Sequence, residues 1–370
     1  MDTRSLRSLD LPLPFWGVRG AFFWGQDRIV QLGFNGFTDI VKQESAKCFS
    51  SSQILELQHN EIHGEFPLIL MNNSVLTSLD VSWNLFSGKI PSAIGNLWRL
   101  QKLRMINNSL EGTIPSSIGT LYKLTVVDLS GQNFSEEIPF DLAVSPDLDN
   151  CSTLVNLDLH SNSLSGQISV DLRHLSHLSV LDLGRNNLMG KVPIDISNYS
   201  SLTSFVLNLN HLSRNIPESL SSLSNLTVLD ISTNNFNREI LANLTTLSSL
   251  QFCPLDIHNS VALASFFSVA NNFLTGRIPE FICKASYLQV LDLSNNALSG
   301  KILLCVLTYS PTLGVVNLGN DRLYRVIPDS FSVGCALRTL DLSRNTLEGE
   351  LPRSLVNCML LEVLNLSFCF

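Results

Sequence analysis

Residues 178–193 read Leu-Ser-Val-Leu-Asp-Leu-Gly-Arg-Asn-Asn-Leu-Met-Gly-Lys-Val-Pro, and residues 337–352 repeat the sentence as Leu-Arg-Thr-Leu-Asp-Leu-Ser-Arg-Asn-Thr-Leu-Glu-Gly-Glu-Leu-Pro. The first residue of the L-x-L core recurs at Leu55, Leu79, Leu103, Val127, Leu157, Leu181, Phe205, Leu229, Phe267, Leu291, Val316, Leu340 and Leu364. These marks stand 24 residues apart, except for intervals of 30 before Leu157, 38 before Phe267 and 25 before Val316. A fixed period in the twenties carrying L-x-L-x-x-N predicts a stack of similar turns, each unable to bury its apolar face alone.

Side chains alternate across a strand, so the two leucine-type residues of each core point inward and the residue between them faces solvent. Stacked turns then form one parallel sheet. Asparagine follows three residues after the second leucine, at Asn60, Asn84, Asn108, Asn162, Asn186, Asn210, Asn234, Asn272, Asn296 and Asn345. A buried amide there satisfies backbone groups where the chain turns. Four residues later come glycines such as Gly64, Gly88, Gly112 and Gly190, suited to backbone that strains a side chain. Aliphatic-Pro pairs such as Ile90-Pro91, Ile114-Pro115, Ile138-Pro139, Ile216-Pro217 and Ile278-Pro279 end local pairing. Gln132, Asp321 and Cys369 replace the asparagine, and Glu136, Arg214, Arg238 and Arg325 the glycine, marking turns expected to be irregular.

The sentence L-x-x-L-x-x-L-x-L-x-x-N-x-L-x-G-x-I-P resembles the plant-specific class of extracellular leucine-rich repeats, over about residues 53–370. Residues 335–355 resemble plant receptor-like proteins of the tomato Cf type. The expected fold is an α/β repeat solenoid, a right-handed leucine-rich-repeat superhelix or horseshoe with a parallel sheet on its concave face. Residues 53–370 hold about 13 repeats, with irregular intervals near 143–151 and 241–263; Cys253-Pro254 in the second predicts a loosened turn or long loop.

Residues 1–52 read as a degenerate cap with one possible first turn. Residues 16–20, Trp-Gly-Val-Arg-Gly, followed by Asp27 to Leu32, resemble a degraded plant cap lacking its cysteines. Val30, Leu32, Asn35 and Phe37 sit one period before the Leu55 set. Pro12, Pro14 and Arg19 interrupt the apolar stretch a signal peptide needs. The chain stops at Phe370 inside a turn without a polar capping repeat, which reads as a truncated product.

The net charge of −8, with no run of basic residues, argues against a nucleic-acid partner. Asp80, Asp128, Asp158, Asp182, Asp230, Asp292 and Asp341 fill the slot between the leucines and read as solvated consensus residues, not catalytic pairs. No apolar run reaches the roughly 18 residues of a membrane span. His174 and His177 form an H-x-x-H without a third ligand, so neither metal nor cofactor is expected. Motifs for a metalloprotease, P-loop, hydrolase or kinase are absent from the sequence, and no enzyme is expected. The cysteines at 48, 151, 253, 283, 305, 335, 358 and 369 make no C-x-x-C and read as buried thiols. Sequons at Asn72, Asn107, Asn133, Asn150, Asn198, Asn225, Asn243 and Asn365 suit a secreted surface.

Function then falls to the concave face. Large or charged residues break the default at His59, Trp83, Arg104, Ile106, His160, Arg185, Leu209, Phe266 and Arg344, with Trp83, Arg104 and Arg185 the leading anchors. The resemblance implies a ligand-recognition ectodomain at the extracellular side of the plasma membrane, in defence or development. It would bind a protein or peptide and signal through co-receptor kinases. If the chain ends at Phe370 it is secreted. The alternatives are a soluble inhibitor similar to the polygalacturonase-inhibiting proteins, which block a pathogen's wall-degrading enzyme, and a non-functional truncated copy.

Overall fold

A computed structural model of the chain describes residues 28–38, 49–139, 153–168, 175–240, 265–285, 287–308 and 312–369. The chain divides into two compact units, Met1–Leu164 and Ser165–Phe370. Each is a leucine-rich-repeat solenoid built on a parallel sheet. In the first unit the three-residue strands Ile29–Gln31, Ile54–Glu56, Ser78–Asp80, Lys102–Arg104, Val126–Asp128 and Asn156–Asp158 pair in that order, mark against mark, from Val30↔Leu55 to Val127↔Leu157. In the second, strands starting at Val180, Ser204, Val228, Ser265, Leu288, Val315, Thr339 and Val363 do the same.

The long intervals do not break the ladder: Leu229 pairs with Phe267 directly, across 38 residues. The mark-to-mark pairing is the same on both sides of the interval, because a one-residue slip would turn every core side chain outward. The loop expected at 241–263 and the irregular segment 143–151 lie outside the described residues. Residues 1–27, with the cap sentence at Trp16, do too.

The core follows from the repeat. Leu55 and Leu57, Leu79 and Val81, Leu181 and Leu183, and Leu340 and Leu342 are buried, each contributing about 1.5–3 kcal/mol. Seven residues past the mark, Phe86, Phe134 and Phe236 are fully buried and fill the same slot that leucine fills elsewhere. Beyond the asparagine a second set of strands forms, which the sentence L-x-G-x-I-P had suggested only as turns. His63–Glu65, Leu85–Gly88, Ser109–Gly112 and Asn133–Glu137 pair in parallel in the first unit. His211–Arg214 and Arg322–Val326 belong to equivalent sheets in the second. Proline then opens a short 3-10 helix, as at Pro91 before Ser92–Asn96. No helix among the described residues is long and apolar enough to cross a membrane.

The asparagines join turn to turn. Nδ2 of Asn84 donates to the carbonyls of Val81 (3.1 Å) and Ser82 (3.2 Å) in its own turn and of Leu57 (2.9 Å) in the turn before. Its Oδ1 accepts from the Ile62 N–H at 3.0 Å. Asn108, Asn210, Asn234, Asn272 and Asn345 repeat the pattern. The substituted turns keep it in part rather than becoming irregular. Gln132 Oε1 accepts from Leu110 N–H, and its Nε2 donates to Met105 O. Cys369 Sγ donates to Leu342 O at 3.1 Å.

Asp321 accepts from Leu298 N–H at 2.8 Å, but its second oxygen is buried without a partner. A carboxylate cannot donate to carbonyls, and burial pushes this group up to about 8. Glycine positions filled by Arg214 (φ 77), Arg238 (φ 69) and Arg325 (φ 79) keep the left-handed backbone of Gly88 (φ 76), so the turn geometry prevails over the side chain.

The cysteine expectation is corrected. Cys283 bonds Cys305 and Cys335 bonds Cys358, pairs 22 and 23 residues apart. One repeat of separation looks distant in sequence, yet stacking sets the same slot of adjacent turns side by side. Cys369 is free and buried, while Cys48, Cys151 and Cys253 lie outside the described residues.

Two outcomes are expected. Asp321 holds its proton in the native state between the usual carboxylate value of 3.8 and about 8, whereas the unfolded chain releases it. Stability should therefore fall as pH rises through that window, by up to about 1.4 kcal/mol per pH unit. Asp321→Asn should raise the urea midpoint at pH 8 and flatten its difference from pH 5; an unchanged difference refutes the assignment. Peptide mapping without reductant should return the two cross-linked cysteine pairs, and alkylation of all four cysteines would overturn them.

Candidate functional site

Strand alternation turns the residues one and three places past each mark away from the leucine core, although small residues there, such as Ser82, Ser130 and Ala270, are still buried. In the first of these columns Asp80, Asp230 and Asp341 accept, through Oδ1, the N–H of the serine two residues on, at 3.0, 3.0 and 2.9 Å. Asp128 accepts from both N–H and Oγ of Ser130, at 3.2 and 2.7 Å. The column is thus more than solvated consensus: each carboxylate ties down the exit of its strand. Burial is the main cause that lifts the Asp128 and Asp230 carboxyls above their ordinary range, against the lowering effect of those serine bonds.

Arg104 interrupts this column, in register between Asp80 and Asp128. Ile106 and His160 occupy the second column. Ile106 is half-buried and accepts the Trp83 N–H through its carbonyl at 2.6 Å, and His160 Nδ1 lies 2.8 Å from Asp158 Oδ1. Phe266 stands on its strand between Val228 and Val290.

The remaining sequence candidates sit elsewhere than on the strands. His59 (φ 56), Trp83 (φ 57), Arg185 (φ 52), Leu209 (φ 53) and Arg344 (φ 54) all lie one residue before the asparagine, in left-handed backbone. Strand alternation alone would turn this position toward the core; the left-handed turn re-aims it outward, onto the rim that follows the strand. Asparagine, which tolerates this backbone, holds the same place at Asn107, Asn271, Asn295 and Asn320, and glycine holds it at Gly131. Bulkier residues there cost roughly 1–2 kcal/mol each, and such outliers gather at functional surfaces.

In the first unit the rim forms an aromatic stack. Phe34 and His59 are 4.4 Å apart at 17°, and His59 and Trp83 are 5.4 Å apart at 8°. Phe34 is 73% exposed and Trp83 49%. Phe34 was missed by the sequence reading, although it falls four residues after Val30 as Trp83 does after Leu79. Ile106 on the next turn is tied to Trp83 through the backbone, and Arg104 stands two residues before it on that turn's strand. In the second unit Arg185 and Leu209 occupy adjacent turns, joined where Asn186 N–H donates to Leu209 O at 3.1 Å. Arg344 is instead 5.9 Å from the Phe368 ring, and Phe266 is apart from both.

Of the sequons, Asn72, Asn133, Asn198 and Asn225 are exposed, while Asn107 and Asn365 are half-buried. Asn225 donates to Ser200 O, and Asn365 is held by Asp341 and Ser367. Asn150, Asn243 and His174 lie outside the described residues.

The leucine-rich-repeat family profile matches residues 75–97, 99–121, 153–175, 177–199, 287–307 and 336–358. Receptor-like protein 35 of Arabidopsis thaliana is 39% identical over 104 residues, which cover 28% of this chain and 11% of that protein. A solved TDR receptor superposes with a TM-score of 0.82 at 27% identity, over 92% of this chain and 55% of that one. The plant peptide hormone receptor RGFR1, solved in complex with RGF2, gives 0.75 at 29%, over 91% and 54%. The chain thus spans about half the length of these solved receptors.

The rim backbone has a measurable consequence. Leu209→Asn should raise the denaturation midpoint, by about 0.5–1 kcal/mol, because asparagine tolerates φ near 53. Leu209→Val, branched at Cβ, should lower it; the reverse order would refute the strain.

Proposed function

We propose, from the premise that this chain is a leucine-rich-repeat protein of the plant receptor-like kind, that it is a ligand-recognition ectodomain with no catalysis of its own. Its ligand is a peptide or protein segment that lies against the strand face and rim of the first unit. The carrying observation is the exposed Phe34–His59–Trp83 stack, held in costly backbone beside Arg104. Rigid aromatic rings and an arginine are the side chains that most often anchor protein interfaces, since they contribute large contact area at little entropic cost.

RGFR1 in complex with RGF2 is a peptide hormone receptor of similar fold, which supports a peptide as occupant. Signalling through co-receptor kinases, a place outside the plasma membrane and a role in defence or development follow from the same kinship. Arg185, Leu209, Phe266 and Arg344 then act as secondary contacts in the second unit, and the exposed sequons as glycan sites.

A random-peptide library selected on the immobilised chain is expected to yield binders. Trp83→Ala combined with Arg104→Ala should weaken them by about thirtyfold, near 2 kcal/mol, with the melting curve unmoved. Equal affinity for the double variant would overturn this placement, and a library without enrichment would overturn recognition itself.

A further inference from the structure

A second group of side chains lies in the first unit, on the flank that precedes the strands and away from the left-handed rim. Trp98 and Tyr122 stand five residues before the marks Leu103 and Val127, and Arg99 and Lys123 stand four before. Stacking therefore sets like residue beside like. Cζ of Arg99 is 4.5 Å from the centroid of the Trp98 ring. Nζ of Lys123 is 5.5 Å from the same ring and 5.8 Å from that of Tyr122. All four side chains are exposed, and Lys102 on the adjoining strand is exposed as well.

A ring face attracts a cation and positions it without cancelling its charge, as a carboxylate would. Among the described residues no carboxylate is paired with Arg99, Lys102 or Lys123. Lys102 has Ser78 and Val126 as its register neighbours. In the Arg99 and Lys123 column the flanking turns offer Val75 and Thr153. Arg104 differs, since Asp80 and Asp128 flank it in register. A chain of net charge −8 thus holds, on two consecutive turns, three cations without an ion-pair partner among the described residues, two of them set against aromatic rings.

We infer that Arg99, Lys102 and Lys123 form a docking surface for an acidic peptide segment, with Trp98 and Tyr122 holding the two flank cations in place. Complementary charge recruits and orients such a partner, and the acidic balance of the rest of the chain repels it from other surfaces. The spacing favours a peptide. Two cations that share the Trp98 ring lie within about 10 Å of each other, and alternate side chains of an extended strand project to one side about 6.6 Å apart. Two carboxylates two residues apart can therefore reach both. The choice of a peptide rests on the recognition reading above, whereas the charge geometry does not.

The test titrates fluorescein-labelled hexaglutamate into the 370-residue chain at low salt, with hexaglutamine as control. Hexaglutamate should bind, weaken steeply as salt is added, and lose about tenfold in affinity to Arg99→Gln combined with Lys123→Gln at an unchanged melting curve. Trp98→Leu, which keeps both charges but removes their support, should lose less. No hexaglutamate binding, equal binding by the double variant, or binding of an oligogalacturonate in its place would each overturn the proposal. Failure here while library-selected peptides still depend on Trp83 would leave the rim reading standing; success here with an insensitive Trp83 would do the opposite.

Discussion

One side-chain amide per turn carries the architecture. The asparagine after each strand donates to carbonyls in its own turn and in the preceding one, and accepts an N–H from the chain that runs on beyond the preceding asparagine. Buried backbone groups left unpaired cost about 1–3 kcal/mol each, so no turn can leave this register without several such losses. That is why Gln132 and Cys369 are tolerated with part of the pattern kept, and why Leu229 and Phe267 still pair mark to mark across the longest interval. Asp321 shows the limit. It reproduces the acceptor but not the donor, and it resolves the conflict by holding a proton.

The same turn links stability to recognition. To bring the asparagine inward, the residue before it must adopt left-handed backbone, and this swings that residue's side chain out to the rim. Asn107, Gly131, Asn271, Asn295 and Asn320 accept the conformation. His59, Trp83, Arg185 and Leu209 do not, and three rings in succession make a stack that one ring could not. The repeat therefore converts a local strain into a regular display: whatever stands at this place lines up with its equivalent one turn away. On the other flank the same stacking brings Arg99 and Lys123 to the one Trp98 ring.

Much of the fold was legible in the spacing, and the reasons differ by element. Inward leucines and the asparagine repeat with a fixed period, so Leu55, Leu79 and Asn84 declare their roles without coordinates. The second set of strands was hidden because Leu85–Gly88 and its kin carry glycine and polar residues that read as turn; only pairing with the next turn makes them strands. The disulfides were hidden because Cys283 and Cys305 are far apart along the chain and adjacent only through the stack. Among the site candidates, Arg104 and Phe266 lie on strands as alternation requires, while His59 and Trp83 lie on the rim because one backbone angle overrides alternation.

By itself, then, the sequence determined the repeat, the residues that face the core and the kinship of the chain, since these depend on periodicity and on burial that every turn shares. Tertiary structure alone decided which exposed residues meet. Phe34 with His59, His59 with Trp83, Lys123 with Trp98, and Cys335 with Cys358 are each about one period apart, and no local preference joins them. Their contacts arise because parallel strands about 4.8 Å apart convert a 24-residue spacing along the chain into van der Waals neighbours across it.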